Sequence, residues 1–219
     1  LKHAIENNRF GQIYLVNVNV LWHRPQSYYD QAKWRGTWAF DGGALMNQAS
    51  HYVDLLYWLF GPIESVQAMT STLARNIEAE DTGVLNIKWL SGTLGSLNVT
   101  MLTYPKNFEG SVTVIGQKGT VRIGGIAVNR IEHWKFQDQL EEDKEVQDAN
   151  YGTTSVYGFG HLCYYNNVIE SLRGESTPEI DGSEGLKSLE ILNAAYLSAQ
   201  KGQNITLPLK CENYELYKT

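Results

Sequence analysis

An α+β fold, with an open and mostly antiparallel sheet and helices packed on one face, follows from three features of this 219-residue chain. Short segments of period-two hydrophobicity crowd its middle. Glycine-marked tight turns join them. Longer helical patterns gather at the end of the chain and do not alternate with the strands.

The elements can be justified in order. "LKHAIENNRFG" (residues 1–11) reads as the end of a helix, with Leu1, Ala4 and Ile5 apolar and a stop at Gly11. It is expected to close an interdomain helix, leaving 12–219 as one substrate-binding and oligomerisation domain. Tyr14, Val16, Val18, Val20 and Trp22 then alternate with Leu15, Asn17, Asn19 and Leu21, the period of a strand. "HRPQSYYDQAKWRGTW" has no period and is rich in Arg, Tyr and Trp, as binding loops often are. A helix is predicted over 44–60, stopped by Gly61-Pro62. "IESVQAMT", "TGVLNIKWL", "TLGSLNVTML", "SVTVIG", "GTVRIG" and "AVNRIEHWKF" read as strands of an antiparallel meander. "QDQLEEDKEVQDAN" reads as an exposed acidic segment, and "GHLCYYNNVIESLRG" and "SEGLKSLEILNAAYLSAQKG" as helices. "NITLPL" offers a last short strand.

Composition narrows the function. At 42% hydrophobic and 19% charged residues the chain has the makeup of a folded globular protein. A net charge of −6 argues against a general nucleic-acid partner, yet allows a local basic pocket for an anion. No apolar run is long enough to span a membrane. Cys163 and Cys211 make no disulfide framework, so a reducing, cytoplasmic setting is expected. His161 and Cys163 are too few and too close for a metal site, and none is expected.

On a 3.6-residue wheel, Leu45, Ala49, Tyr52, Leu56 and Leu59 form one face of the 44–60 helix. Asn47, His51, Asp54 and Trp58 form the other. An imidazole near an amide and a carboxylate suits proton exchange: His51 as acid or base, Asn47 holding a hydroxyl, Asp54 orienting the ring. A histidine on a helix is also often structural. Gly42-Gly43 would let a ligand approach the helix N-terminus, or simply turn the chain. Arg24 and Arg35 suit a carboxylate or phosphate, or surface ion pairs. Tyr28, Tyr29, Trp34 and Trp38 suit stacking on a sugar or base, or pinning the loop to the core.

"DGGALMNQASHYVDLLYWLFG" resembles the signature helix of the Gfo/Idh/MocA oxidoreductases. "VTVIGQKGTVRI" and "IDGSEGLKSLEILNAAYLSAQKGQNITLPL" are similar to later parts of the same family's C-terminal domain. "WHRPQSYYDQAKWRGTWAFDGGALMNQASHYVDLL" resembles the branch that oxidises UDP-N-acetylglucosaminuronic acid at C3 for surface-polysaccharide synthesis. The resemblance implies that the full enzyme binds NAD through an N-terminal Rossmann domain not present in this chain. It implies that His51 is the active-site histidine and that Asn47 replaces a common Asp. Arg24, Tyr29, Arg35 and Trp38 would border the nucleotide-sugar substrate, and the open sheet face would make a homo-oligomer. The chain has neither a G-x-G-x-x-G nor the family's Glu-Lys-Pro lysine, so alone it is expected to bind no NAD and to be inactive. Two alternatives stay open. One is a sibling enzyme for another sugar or polyol; the other is a non-catalytic sugar-binding scaffold.

Overall fold

A computed structural model describes residues 1–152 and 160–210. Eight strands form one sheet in the order β7-β6-β5-β1-β4-β3-β2-β8. They are β1 (Ile13–Leu21), β2 (Ile63–Ser71), β3 (Thr82–Trp89), β4 (Leu94–Thr100), β5 (Glu109–Gly116), β6 (Gly119–Gly124), β7 (Arg130–Phe136) and β8 (Ile205–Thr206). Two meanders, β2-β3-β4 and β5-β6-β7, flank β1. It pairs antiparallel with β5 and, as the sheet's one parallel ladder, with β4.

The alternation in β1 sets the two faces. Val16, Val18 and Val20 are fully buried against the helices. Asn17 and Asn19 point to the other face. There Asn17 donates to Ser96 Oγ (2.8 Å), Asn98 to Asn19 Oδ1 (3.0 Å), and Asn19 to Glu109 Oε1 (3.0 Å). Arg122 pairs with the same Glu109 carboxylate at 2.7 Å. The register lines up the exposed Leu15, Leu94 and Ile115 beside this polar ladder.

Helices α3 (Ser50–Phe60) and α5 (Gly182–Lys201) cover the buried face, α5 lying on β2 and against α3. Asp181 caps α5 by accepting from the backbone N–H groups of Ser183 and Glu184, and left-handed Gly202 ends it. Only the second half of α5 is buried; Leu186 and Leu189 on its first half are exposed. The expected helix of "GHLCYYNNVIESLRG" is α4 (His161–Leu172), which buries no residue. Short α1 (Lys2–Glu6) and α2 (Gln26–Asp30) complete the helices. The acidic segment forms two short turns, Glu141–Lys144 and Val146–Ala149. Asp143 anchors the first of them to Arg9 (2.6 Å) and to the Trp134 indole N–H (2.7 Å). Cys211 lies outside the described residues, and Cys163 is a free, exposed thiol.

The helix predicted over 44–60 is not continuous. A wide π-helical turn, Ala44–Gln48, precedes α3, and the two meet at Ala49. The apolar face is nevertheless as the periodicity has it: Leu45, Ala49, Tyr52, Leu56 and Leu59 are all buried.

Candidate functional site

A cavity of about 880 Å³ opens where the end of β1, the loop after it, and α3 converge. That is the size of a pocket for a cofactor or a large polar metabolite. Trp22, His23, Arg24 and Tyr28 bring one wall, and Arg35 joins them from the loop. Asn47, Gln48, His51, Tyr52 and Leu55 add to the lining, with the Tyr52 ring in contact with Trp22. His161, at the start of α4, also reaches the lining.

Of the residues expected at the site, Arg24, Arg35, Asn47 and His51 line this cavity. The cavity-facing stripe runs 47/48, 51/52, 55 and so excludes Asp54 and Trp58. Tyr52 explains the tilt, because its ring packs edge-on against Trp22 (6.0 Å) and turns that side of the helix toward the end of β1. Asp54 is exposed, lies off the cavity and makes no hydrogen bond to His51 among the described residues.

Of the four loop aromatics that suit stacking, Tyr29, Trp34 and Trp38 lie outside the cavity lining. Tyr29 is buried, its ring packed beside Gly36 and edge-on to the Tyr28 ring at 5.1 Å. Burial pushes its phenol up to about 12. Tyr28 faces the cavity instead. Trp38 stands outside the lining, edge-on to Tyr196 at 5.2 Å.

The glycine pair also has another purpose. Gly42 is left-handed (φ 69°), and a Cβ on Gly43 would overlap the Glu80 carboxylate and backbone carbonyl. What approaches the turn is thus an internal anion. The Ala44 N–H donates to the Glu80 carbonyl (2.8 Å) and the Leu45 N–H to Glu80 Oε1 (2.8 Å). The Met46 N–H donates to the Tyr196 hydroxyl (3.2 Å), which itself donates to Glu80 Oε1 (2.9 Å). The first N–H groups of the turn are satisfied inside the protein, so this terminus offers none of them to a ligand. Burial, opposed only in part by these hydrogen bonds, pushes the Glu80 carboxyl up to about 7.

Asn47 is oriented by Asp41. Its amide NH₂ donates to Asp41 Oδ1, while Asp41 Oδ2 accepts the Gly36 N–H (3.0 Å). Because a carboxylate only accepts, the Asn47 carbonyl oxygen is left to accept from a hydroxyl.

The electrostatics of the lining are lopsided. Tyr28 lies between two guanidiniums, with Arg35 4.1 Å and Arg24 5.4 Å from its ring centroid. Arg24 donates to the His23 carbonyl (2.8 Å) and Asn107 Oδ1 (3.2 Å). Arg35 donates to the Tyr28 carbonyl (2.6 Å) and Gln31 Oε1 (3.0 Å). All four acceptors are neutral, and neither arginine joins an ion pair among the described residues. Two cations without an ion pair in one cavity lining suit an anion.

Trp22 and His23 are missed from the sequence, whereas Tyr28 is named there for stacking and does line the cavity. Trp22 reads there as one more buried member of the β1 alternation, which it also is, at 5% exposure. His23 closes an isolated bridge with Leu102, and its Nδ1 lies 2.5 Å from the Thr103 carbonyl. A carbonyl only accepts, so Nδ1 carries a proton and the neutral ring has its lone pair at Nε2. The described residues contain no cluster of three His, Cys, Asp or Glu able to hold a metal, and no described helix is long and apolar enough to cross a membrane.

Similarity to known proteins gives the family. Residues 2–207 match the model "Oxidoreductase family, C-terminal alpha/beta domain", and the chain belongs to the Gfo/Idh/MocA family. Among solved structures it resembles the WlbA dehydrogenase of Bordetella pertussis in complex with NADH and UDP-GlcNAcA. The identity is 64% and the TM-score 0.91, over 95% of this chain and 60% of that one. WlbA of Chromobacterium violaceum, also with NADH and UDP-GlcNAcA, gives 64% and 0.90 over 95% and 59%. The scyllo-inositol 2-dehydrogenase (NADP(+)) IolW of Bacillus subtilis (strain 168) is 24% identical over 94% of this chain and 60% of its own length. The chain thus spans about three fifths of these relatives.

Proposed function

We propose that this chain is the substrate-binding part of an NAD-dependent dehydrogenase that oxidises the C3 hydroxyl of UDP-N-acetylglucosaminuronic acid or a close analogue. The observation that carries the reading is that two guanidiniums without an ion pair among the described residues, Arg24 and Arg35, line the same cavity as His51. A diphosphate and a uronate carboxylate supply the anionic oxygens such a wall needs, whereas a neutral polyol leaves both cations uncompensated. The 64% identity to WlbA proteins solved with UDP-GlcNAcA supports it.

The described residues do not fit a dinucleotide. The Gly42-Gly43 turn, which opens a helix, is filled by Glu80, and the sequence has no G-x-G-x-x-G. We therefore give this chain no part in holding NAD. When bound elsewhere in the protein, the nicotinamide accepts the hydride. The chain's own residues hold the sugar and handle the proton. His51 takes the proton of the reacting hydroxyl, alone or with a lysine outside this chain. Asn47, fixed by Asp41, accepts a hydrogen bond from a hydroxyl with its carbonyl oxygen. Binding of the remote diphosphate positions the reacting carbon.

Affinity tests the reading. In the full-length protein with NADH, calorimetry should give UDP-N-acetylglucosaminuronic acid at least about tenfold tighter binding than UDP-N-acetylglucosamine, since a charge-assisted hydrogen bond contributes roughly 1.5–3 kcal/mol. Equal affinity for the two would remove the uronate from the proposal. We also propose that the open sheet face, with its exposed Leu15, Leu94 and Ile115 row, pairs two copies of the chain. Sedimentation that shows only monomer at micromolar concentration would contradict this.

A further inference from the structure

Asp41 orients the Asn47 side chain, but the backbone that carries it has a separate support. Asn47 lies in the wide turn Ala44–Gln48, and π-helical turns are rare. The first N–H groups of a helical turn have no partner within it and need a cap. Gly43, in the capping position, has no side chain to supply one. Glu80 and Tyr196 supply it from distant parts of the chain. Glu80 accepts the Ala44 N–H on its carbonyl and the Leu45 N–H on Oε1, and the Tyr196 hydroxyl accepts the Met46 N–H. The Asn47 N–H then closes on the Gly43 carbonyl (3.0 Å). Each N–H from Ala44 to Asn47 therefore has an acceptor, and three of the four depend on Glu80 or on the tyrosine bonded to it.

Glu80 is itself fixed to the sheet. It is 2% exposed, and the next residue, Asp81, donates its N–H to the Ser71 carbonyl at the end of β2 (3.2 Å). The Asp81 carbonyl accepts the Met101 N–H just beyond β4 (2.9 Å). The turn thus hangs from the sheet through Glu80, while Glu80 lies outside the cavity lining to which Asn47 belongs.

We propose that Glu80 is a positioning residue for the sugar: by holding the first N–H groups of the turn, it sets where the Asn47 carbonyl oxygen stands in the cavity. The proposal rests on the nucleotide-sugar reading above and deepens it by one residue that touches no substrate. Glu80 Oε2 has no partner, so the side chain holds the turn through Oε1. Glu80→Gln keeps that oxygen, and Glu80→Ala removes it.

The test is a double-mutant cycle in the full-length protein with NADH, read by calorimetry with UDP-N-acetylglucosaminuronic acid as the probe. Glu80→Ala should weaken binding about tenfold, the scale of one lost hydrogen bond, and Glu80→Gln should restore it to within about twofold of wild type. Asn47→Ala should weaken binding by a similar factor. The double variant should then bind within about twofold of Asn47→Ala alone, because Glu80 acts through Asn47. A purely structural role would make the two losses multiply, since loosening of the fold does not depend on the Asn47 amide. Multiplied losses, unchanged affinity in folded Glu80→Ala, or equal losses in the Gln and Ala variants overturn the proposal and leave the nucleotide-sugar reading intact. If Glu80→Ala does not fold, Tyr196→Phe takes its place in the cycle, since it removes only the hydroxyl that receives the Met46 N–H. It should weaken binding at least about threefold in wild type and not further beside Asn47→Ala, and any other result overturns the proposal. Failure of the wild-type protein to bind the probe overturns both readings.

Discussion

His51→Ala in the full-length protein should lower turnover of the sugar nucleotide by about 10²–10⁴-fold, the usual contribution of a general acid–base group. NADH binding and melting temperature should stay near wild type, because His51 is exposed on α3 and supports no buried contact. The direction of the kinetic effect also matters. A group that acts on the reacting proton lowers kcat, whereas one that only holds the substrate raises KM. Asn47→Ala belongs to the second kind and should raise KM more than it lowers kcat. A purely structural histidine would lose activity in proportion to unfolded protein, so both quantities are measured on the same preparation.

Glu80 should dominate the pH dependence of stability. Its carboxyl is pushed up to about 7 in the folded chain, against an ordinary value of 4.5. A raised carboxyl favours the folded state while it is protonated. Its contribution is full below pH 4.5 and is lost as pH rises to 7, where it levels off. The shift corresponds to roughly 3 kcal/mol. For a chain of this length that is a fall of about 6–12 °C in the melting temperature of wild type relative to Glu80→Gln between pH 4.5 and 8. Taking the difference between the two proteins removes the opposite trend of neighbouring Asp81. The Asp81 carboxyl is held below its ordinary range by the backbone N–H groups of Leu73, Ala74 and Arg75, outweighing its own partial burial. A constant difference across this range would contradict the account of the turn, since Glu80 is what holds its first N–H groups.

Much of this was readable in the sequence because it is local. The Val16-Val18-Val20 alternation gives a two-faced strand, and Leu45, Ala49, Tyr52, Leu56 and Leu59 give a helix face, whatever the rest of the chain does. Asn47 and His51 were reachable for the same reason, being four residues apart across the adjoining π-helical turn and α3. The purpose of Gly42-Gly43 was not readable, because the group they admit, Glu80, lies on the approach to β3 and meets them only through the tertiary fold. Nor was the choice between Tyr28 and Tyr29. The two rings pack edge-on to each other, yet only Tyr29 is buried and only Tyr28 lines the cavity, and composition cannot say which does which. Trp22 shows the third limit. The strand pattern marks it correctly as buried, and nothing in that pattern distinguishes burial in a core from burial at the wall of a cavity.

The central claim is that the cavity between Arg24, Arg35 and His51 holds a UDP-N-acetylglucosaminuronic acid for oxidation at C3. The most direct measurement supplies the full-length protein with NAD and this sugar nucleotide carrying deuterium at C3, and follows the label by mass spectrometry. The account predicts that deuterium leaves the sugar for the nicotinamide as a 3-keto product forms, and that His51→Ala slows this transfer by about 10²–10⁴-fold. Reduced nicotinamide formed without the label, with deuterium retained at C3, would contradict it.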